Sequence, residues 1–122
     1  MIHEELTEKI LNACFEVSNE LGCGFLESVY QKALLIALME AGLKAESQTP
    51  LRVIFHGQLV GEFFPDIIVE DSVLLELKAV KALAPEHLAQ VMNYLKATSI
   101  EVGFLVNFGS PRLEYRRFDS RF

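Results

Sequence analysis

Apolar residues recur at helical spacing over the first third of the chain, and the pattern then changes period. Ile2, Leu6, Ile10, Cys14, Val17 and Leu21 form one stripe, which predicts a helix over residues 3–21. Gly22-Cys23-Gly24 breaks that pattern. A second helical stretch covers residues 26–41, with Gly42 as its stop signal. From Thr49 onward the chain reads as strands. Residues 51–55 predict a strand, His56-Gly57-Gln58 a tight turn and residues 59–70 a longer strand, so the pair is expected to form a hairpin. Glu70-Asp71-Ser72 then turns the chain into a strand over residues 73–80. Pro85 suits the first turn of a helix that ends near Ala97. The apolar run at residues 102–108 reads as a buried strand, Gly109-Ser110-Pro111 as a turn and residues 113–118 as a last short strand. The predicted order is α-α-β-β-β-α-β-β, an α/β (α+β) arrangement. Its late β-α-β step is expected to be a right-handed parallel crossover. No repeat or linker divides the chain, so residues 1–122 read as a single domain.

Charge interrupts this pattern where it is least expected. Asp66 lies in the apolar run Phe63-Phe64-Pro65-Asp66-Ile67-Ile68-Val69, and Glu76 and Lys78 lie in Val73-Leu74-Leu75-Glu76-Leu77-Lys78-Ala79-Val80. Burying charge among such neighbours is costly unless it is paired or bound to a cation. Alternation puts Glu76 and Lys78 on one face of their strand and Leu75 and Leu77 on the other. If the two strands pair, the carboxylates and the ammonium converge. Asp66, Glu76 and the backbone carbonyl of Leu77 then suit a hard cation such as Mg²⁺ (or Mn²⁺), which takes oxygen ligands and keeps several waters. Lys78 would stand beside a metal-bound water or an attacked phosphate. A structural acid–lysine ion pair at a strand end is the competing explanation.

Composition narrows the class further. About half of the 122 residues are apolar (51%), with nine Phe and no Trp, which excludes a disordered tail. A net charge of −6 argues against broad, charge-driven coating of nucleic acid. Yet Arg112, Arg116, Arg117 and Arg121 crowd the C-terminal end, and Tyr115-Arg116-Arg117-Phe118 mixes cations with aromatics, as a nucleic-acid groove or a charged edge strand would. Cys14 and Cys23 lack any ligand spacing and read as two reduced thiols in or near the core. His3, His56 and His87 show none either. The acidic start and the absence of a long apolar run predict a soluble, cytoplasmic protein that does not enter membranes.

Two helices carry further candidates. On the third, Leu88, Val91, Met92 and Leu95 make the apolar face, while His87, Gln90 and Tyr94 form a second stripe suited to hold phosphate, water or a carboxylate. Ordinary rim packing explains these three equally well. On the second, Glu27 and Tyr30 are three residues apart and are expected to share a face, and Glu27 falls in the first turn, where the helix dipole favours an acid. Read alone, Glu27 is an ordinary helix-start glutamate.

Gly24-x-x-Glu27-x-x-Tyr30, Pro65-Asp66 separated by nine residues from Glu76-x-Lys78, and Gln90-x-x-x-Tyr94 occur in this order along the chain. In these motifs the chain resembles the GxxExxY proteins, a group within the PD-(D/E)XK nuclease superfamily, and its third motif is similar to that of the RecB-like branch. The resemblance implies a mixed β-sheet flanked by helices, with the site at one end of the central strands. It also implies Asp66 and Glu76 as metal ligands, Lys78 as the residue that positions the nucleophilic water and Glu27 as the acid that completes the site. Gln90, Tyr94, Tyr30 and His87 become auxiliary or substrate-binding residues.

The function expected from this combination is Mg²⁺-dependent hydrolysis of phosphodiester bonds in nucleic acid, with DNA as the substrate that the superfamily resemblance implies. A non-catalytic nucleic-acid- or protein-binding regulatory module that keeps the fold is the alternative. In either case a homodimer or a protein partner would extend the small contact surface.

Overall fold

The computed structural model of the chain describes residues 3–120; Ile2 of the first apolar stripe and Arg121 of the basic C-terminal cluster lie outside the described residues. The helices are α1 (Glu4–Leu21), α2 (Glu27–Glu40) and α3 (Pro85–Ala97). The strands are β1 (Ala45–Glu46), β2 (Leu51–Phe55), β3 (Gln58–Phe63), β4 (Ile67–Val69), β5 (Val73–Lys78), β6 (Val102–Asn107) and β7 (Glu114–Asp119). Five of them form a mixed sheet in the order β1-β4-β5-β6-β7, while β2 and β3 form a separate two-stranded sheet. The β5–β6 pair, joined through α3, is parallel, and β4–β5 and β6–β7 are antiparallel.

Each face of the main sheet buries its own apolar layer. Ile10 and Cys14 of α1 and Tyr30 and Leu34 of α2 pack on Val73, Leu75, Leu77 and Phe104. Val91 and Leu95 of α3 pack on Leu74, Leu105 and Ile68 on the opposite face. Alternation along β5 therefore turns Leu75 and Leu77 toward α1 and α2, and sets Glu76 and Lys78 on the α3 side with Leu74. Cys14 belongs to this core, and burial pushes its thiol up to about 12. Cys23 is exposed, which corrects the expectation of two core thiols; both cysteines are free.

The long strand expected over residues 59–70 is instead two strands in two sheets. β3 pairs with β2, and β4 pairs with β1 and β5, with the break at Phe64-Pro65-Asp66. Pro65 has no N–H to give to a ladder, so strand pairing stops there and the chain passes from hairpin to sheet. The hairpin turn itself is as expected: His56 and Gly57 both have positive φ (50° and 76°), the two-residue geometry that matches strand twist. β1 pairs through only Ala45 and Glu46, a stretch too short to show a period. Among the described residues no helix is long and apolar enough to cross a membrane.

Candidate functional site

Asp66 and Glu76 meet where β4 and β5 begin to pair. Ile67 stands opposite Leu75, which brings Asp66, the residue just before β4, beside Glu76. The Glu76 carboxylate then holds the Asp66 backbone, and the Asp66 carboxylate holds that of Leu77, the residue after Glu76. The Asp66 N–H donates to Glu76 Oε1 at 3.2 Å, and the Leu77 N–H donates to Asp66 Oδ2 at 2.7 Å. These bonds fix both carboxylates, and they set the Leu77 backbone next to the Asp66 side chain. Lys78 lies on the same face of β5, half-buried. Among the described residues it makes no ion pair with Asp66, Glu76 or Glu27. A structural acid–lysine ion pair, the competing explanation from sequence, is therefore not what these residues form.

The Gly24-x-x-Glu27-x-x-Tyr30 segment is a stapled corner at the start of α2. Gly24 sits at φ 114°, a conformation that side chains other than hydrogen oppose. The Tyr30 hydroxyl donates to the Gly22 carbonyl at 2.7 Å and accepts from the Phe25 N–H at 3.2 Å. Its ring stacks on Phe108 with centroids 4.8 Å apart. Tyr30 is fully buried, so its contacts are those of a core staple and not of a group that touches substrate. Glu27, the first residue of α2, lies within electrostatic reach of Asp66, Lys78 and His87. One turn further on, Gln31 Nε2 donates to the Asp66 carbonyl at 2.9 Å.

Helix α3 supplies the other wall. Gln90 Nε2 donates to the Tyr94 hydroxyl at 2.7 Å, and the Tyr94 ring stacks on Phe63 at 3.8 Å, tying the hairpin to the helix. Tyr94 is near enough to Glu76 and Asp66 to feel their charge. His87 Nδ1 accepts from the Ala84 N–H at 3.0 Å, so a neutral ring carries its proton on Nε2. The expected His87, Gln90 and Tyr94 stripe is thus assembled on one side of the acids.

Burial and like charge set the electrostatics of this cluster. Burial, then the neighbouring Asp66 charge, pushes Glu76 up to about 8. Burial also raises Asp66, against the opposing pull of the Leu77 N–H and Lys78. Glu27 is raised by burial and then by Asp66. Like charges gathered in low dielectric hold protons unless a cation relieves them. Among the described residues no three His, Cys, Asp or Glu side chains come together as a metal cage. Glu27 is therefore felt as a charge without joining Asp66 and Glu76 as a third ligand. Two carboxylates and a backbone carbonyl still fit Mg²⁺, which fills its remaining positions with water.

Two residues of this architecture escaped the reading of the sequence. Gln31 carries the signal of i+4 spacing from Glu27, which puts it on the same helix face. Asn107 ends an otherwise apolar strand and is fully buried. Its amide takes the Val80 N–H at 3.0 Å and gives to the Val80 carbonyl at 2.9 Å.

A mixed sheet with helices on both faces and an Asp, Glu-x-Lys cluster where two central strands pair is the layout of a nuclease-type α+β fold. The model of the PD-(D/E)XK nuclease superfamily matches residues 4–118, and the chain belongs to that superfamily. The solved structure of SSO0001 is similar in fold, with a TM-score of 0.60 and 19% sequence identity over 76% of this chain. The present chain spans 50% of the SSO0001 chain. No curated protein sequence matches it.

Proposed function

We propose that this protein is a Mg²⁺-dependent nuclease of the GxxExxY group that hydrolyses phosphodiester bonds in DNA, acting as one domain in the cytoplasm. Asp66, Glu76 and the Leu77 carbonyl hold the ion, and Mn²⁺ is an alternative occupant. When bound, the ion would neutralise charge that builds on the phosphate during in-line attack. Lys78 orients the attacking water and adds a positive charge beside the phosphate. Glu27 completes the acidic wall. Gln90, Tyr94 and His87 shape the substrate side, and Tyr30 acts indirectly by holding the corner that carries Glu27. The observation that supports this reading is a pair of carboxylates locked by backbone N–H groups beside a lysine that, among the described residues, forms no ion pair with them.

The test is cleavage of a panel of single- and double-stranded DNA and RNA, linear and circular, with Mg²⁺ or Mn²⁺. Wild-type protein should cut, and Lys78→Ala should keep fold and metal binding while losing cleavage. Cleavage that persists in Lys78→Ala would assign the activity to a contaminant or to other residues. A chain that cuts nothing with either metal supports the second reading, a non-catalytic module that binds nucleic acid or a protein partner. The net charge of −6 favours that second reading, because a polyanion finds little general attraction on such a surface.

A further inference from the structure

Lys81, Arg112 and Arg116 form a compact cationic surface on an otherwise acidic protein. They line one surface depression of about 460 Å³, formed by the loop after β5, the turn after β6 and the start of β7. All three are exposed, and among the described residues none makes an ion pair. Arg116 donates to a backbone carbonyl, that of Tyr115, at 3.2 Å. Its neighbour Arg117 is engaged elsewhere, over the Phe104 ring at 5.7 Å. Glu114 also lines the depression, but its carboxylate accepts from Asn107 Nδ2 at 3.1 Å.

The strand register relates this surface to the acids. Glu76 pairs with Leu105 and Leu105 pairs with Arg116, so the three form one cross-strand row. Two strand spacings put the Arg116 backbone roughly 10 Å from that of Glu76. Phosphates on one strand of a duplex advance about 3.4 Å along its axis, so an offset of this size falls within a few nucleotides of substrate strand.

The two loops that carry Lys81 and Arg112 are also fastened to each other. Asn107 holds both backbone groups of Val80, and its Oδ1 accepts from the Gly109 N–H at 2.9 Å. Gly109 lies so close to Val80 that a Cβ there would run into the Val80 backbone. Lys81 and Arg112 are therefore mounted on a braced pair of loops, with Arg116 beside them on β7.

We propose that Lys81, Arg112 and Arg116 are a backbone-binding subsite that holds phosphates of the substrate strand within a few nucleotides of the bond at Asp66 and Glu76. The subsite rests on the nuclease reading given above and explains how an acidic protein retains a polyanion. It binds phosphate charge, so it affects retention and leaves the chemical step unchanged.

The test compares wild type with Lys81→Ala/Arg112→Ala/Arg116→Ala and with Lys9→Ala/Lys32→Ala/Lys96→Ala, which removes the same charge elsewhere. Fluorescence anisotropy with DNA and RNA oligonucleotides of about 20 residues, at salt from about 50 to 200 mM, gives affinity and salt slope. Cleavage with Mg²⁺ gives KM and kcat. The subsite variant should bind at least about tenfold more weakly, lose about two to three units of salt slope and raise KM at unchanged kcat, with the control near wild type. The polymer whose binding changes, DNA or RNA, identifies the strand held. Equal losses in both variants, or none in the first, overturn the subsite while a cleaving wild type keeps the nuclease reading. A wild type that neither binds nor cuts overturns both.

Discussion

The Asp66 backbone N–H is bonded to the Glu76 carboxylate at 3.2 Å, so one acid of the site holds the main chain of the other. That arrangement places two carboxyl groups side by side in a region that water reaches poorly. Glu76 is pushed from an ordinary 4.5 up to about 8, and Asp66 and Glu27 are raised as well. The folded chain then holds protons that the unfolded chain has already released. Metal-free stability is therefore full below the ordinary carboxylate range and is lost as pH rises toward about 8. We expect the melting temperature in EDTA to fall between those limits, and Mg²⁺ to restore it more at the alkaline end than at the acidic end. A melting temperature indifferent to both pH and Mg²⁺ would remove the acids from any shared ion.

Gln31 holds the Asp66 carbonyl, so its side chain positions a proposed ligand without touching the ion. Such outer partners typically control metal affinity by about 10–100-fold. Gln31→Ala is expected to weaken Mg²⁺ binding about tenfold in calorimetric titration while costing about 1 kcal/mol of stability. Unchanged affinity would reduce Gln31 to a loop tether.

Tyr30→Phe separates the staple from the stack. The ring keeps its place on Phe108, while the Gly22 carbonyl and Phe25 N–H lose their partner. We expect a cost of about 1–2 kcal/mol, with faster hydrogen exchange over residues 22–26 and unchanged protection in β5. Exchange identical to wild type would mean that the corner is held by Gly24 and Phe25 alone.

How much of this was legible follows from the physics of each position. Asp66, Glu76 and Lys78 stood out because charge inside an alternating apolar run has few explanations. Tyr30 misled because a three-residue step advances 300°, which leaves it 60° from Glu27, enough to carry one into the core and leave the other outside. Gln31, at 40°, is the residue that faces Asp66. The hairpin and the main sheet share one apolar alternation through Phe63 and Ile67, so period alone could not separate them. Pro65 was the only mark of the break. Asn107 was hidden because a buried amide needs its partners in view, and those lie 27 residues away.

Gly103 governs how closely α3 approaches the sheet, and with it the wall that Gln90 and Tyr94 provide. A Cβ there would lie 3.0 Å from Val91 Cγ1 and 3.3 Å from Leu95 Cδ1. Leu95 has a flexible end that can move aside, whereas the β-branched Val91 is stiff. Gly103→Ala gains about 0.4–1 kcal/mol from a less flexible unfolded chain, but overpacking costs about 1–3 kcal/mol. A net loss of about 1–2 kcal/mol is expected in urea unfolding. Val91→Ala alone leaves a cavity and should also destabilise. Combined, the two changes fill each other's space, so the double variant should lose less than the sum of the single losses. Strict additivity in that cycle would mean that the helix is held off the sheet by something other than this contact.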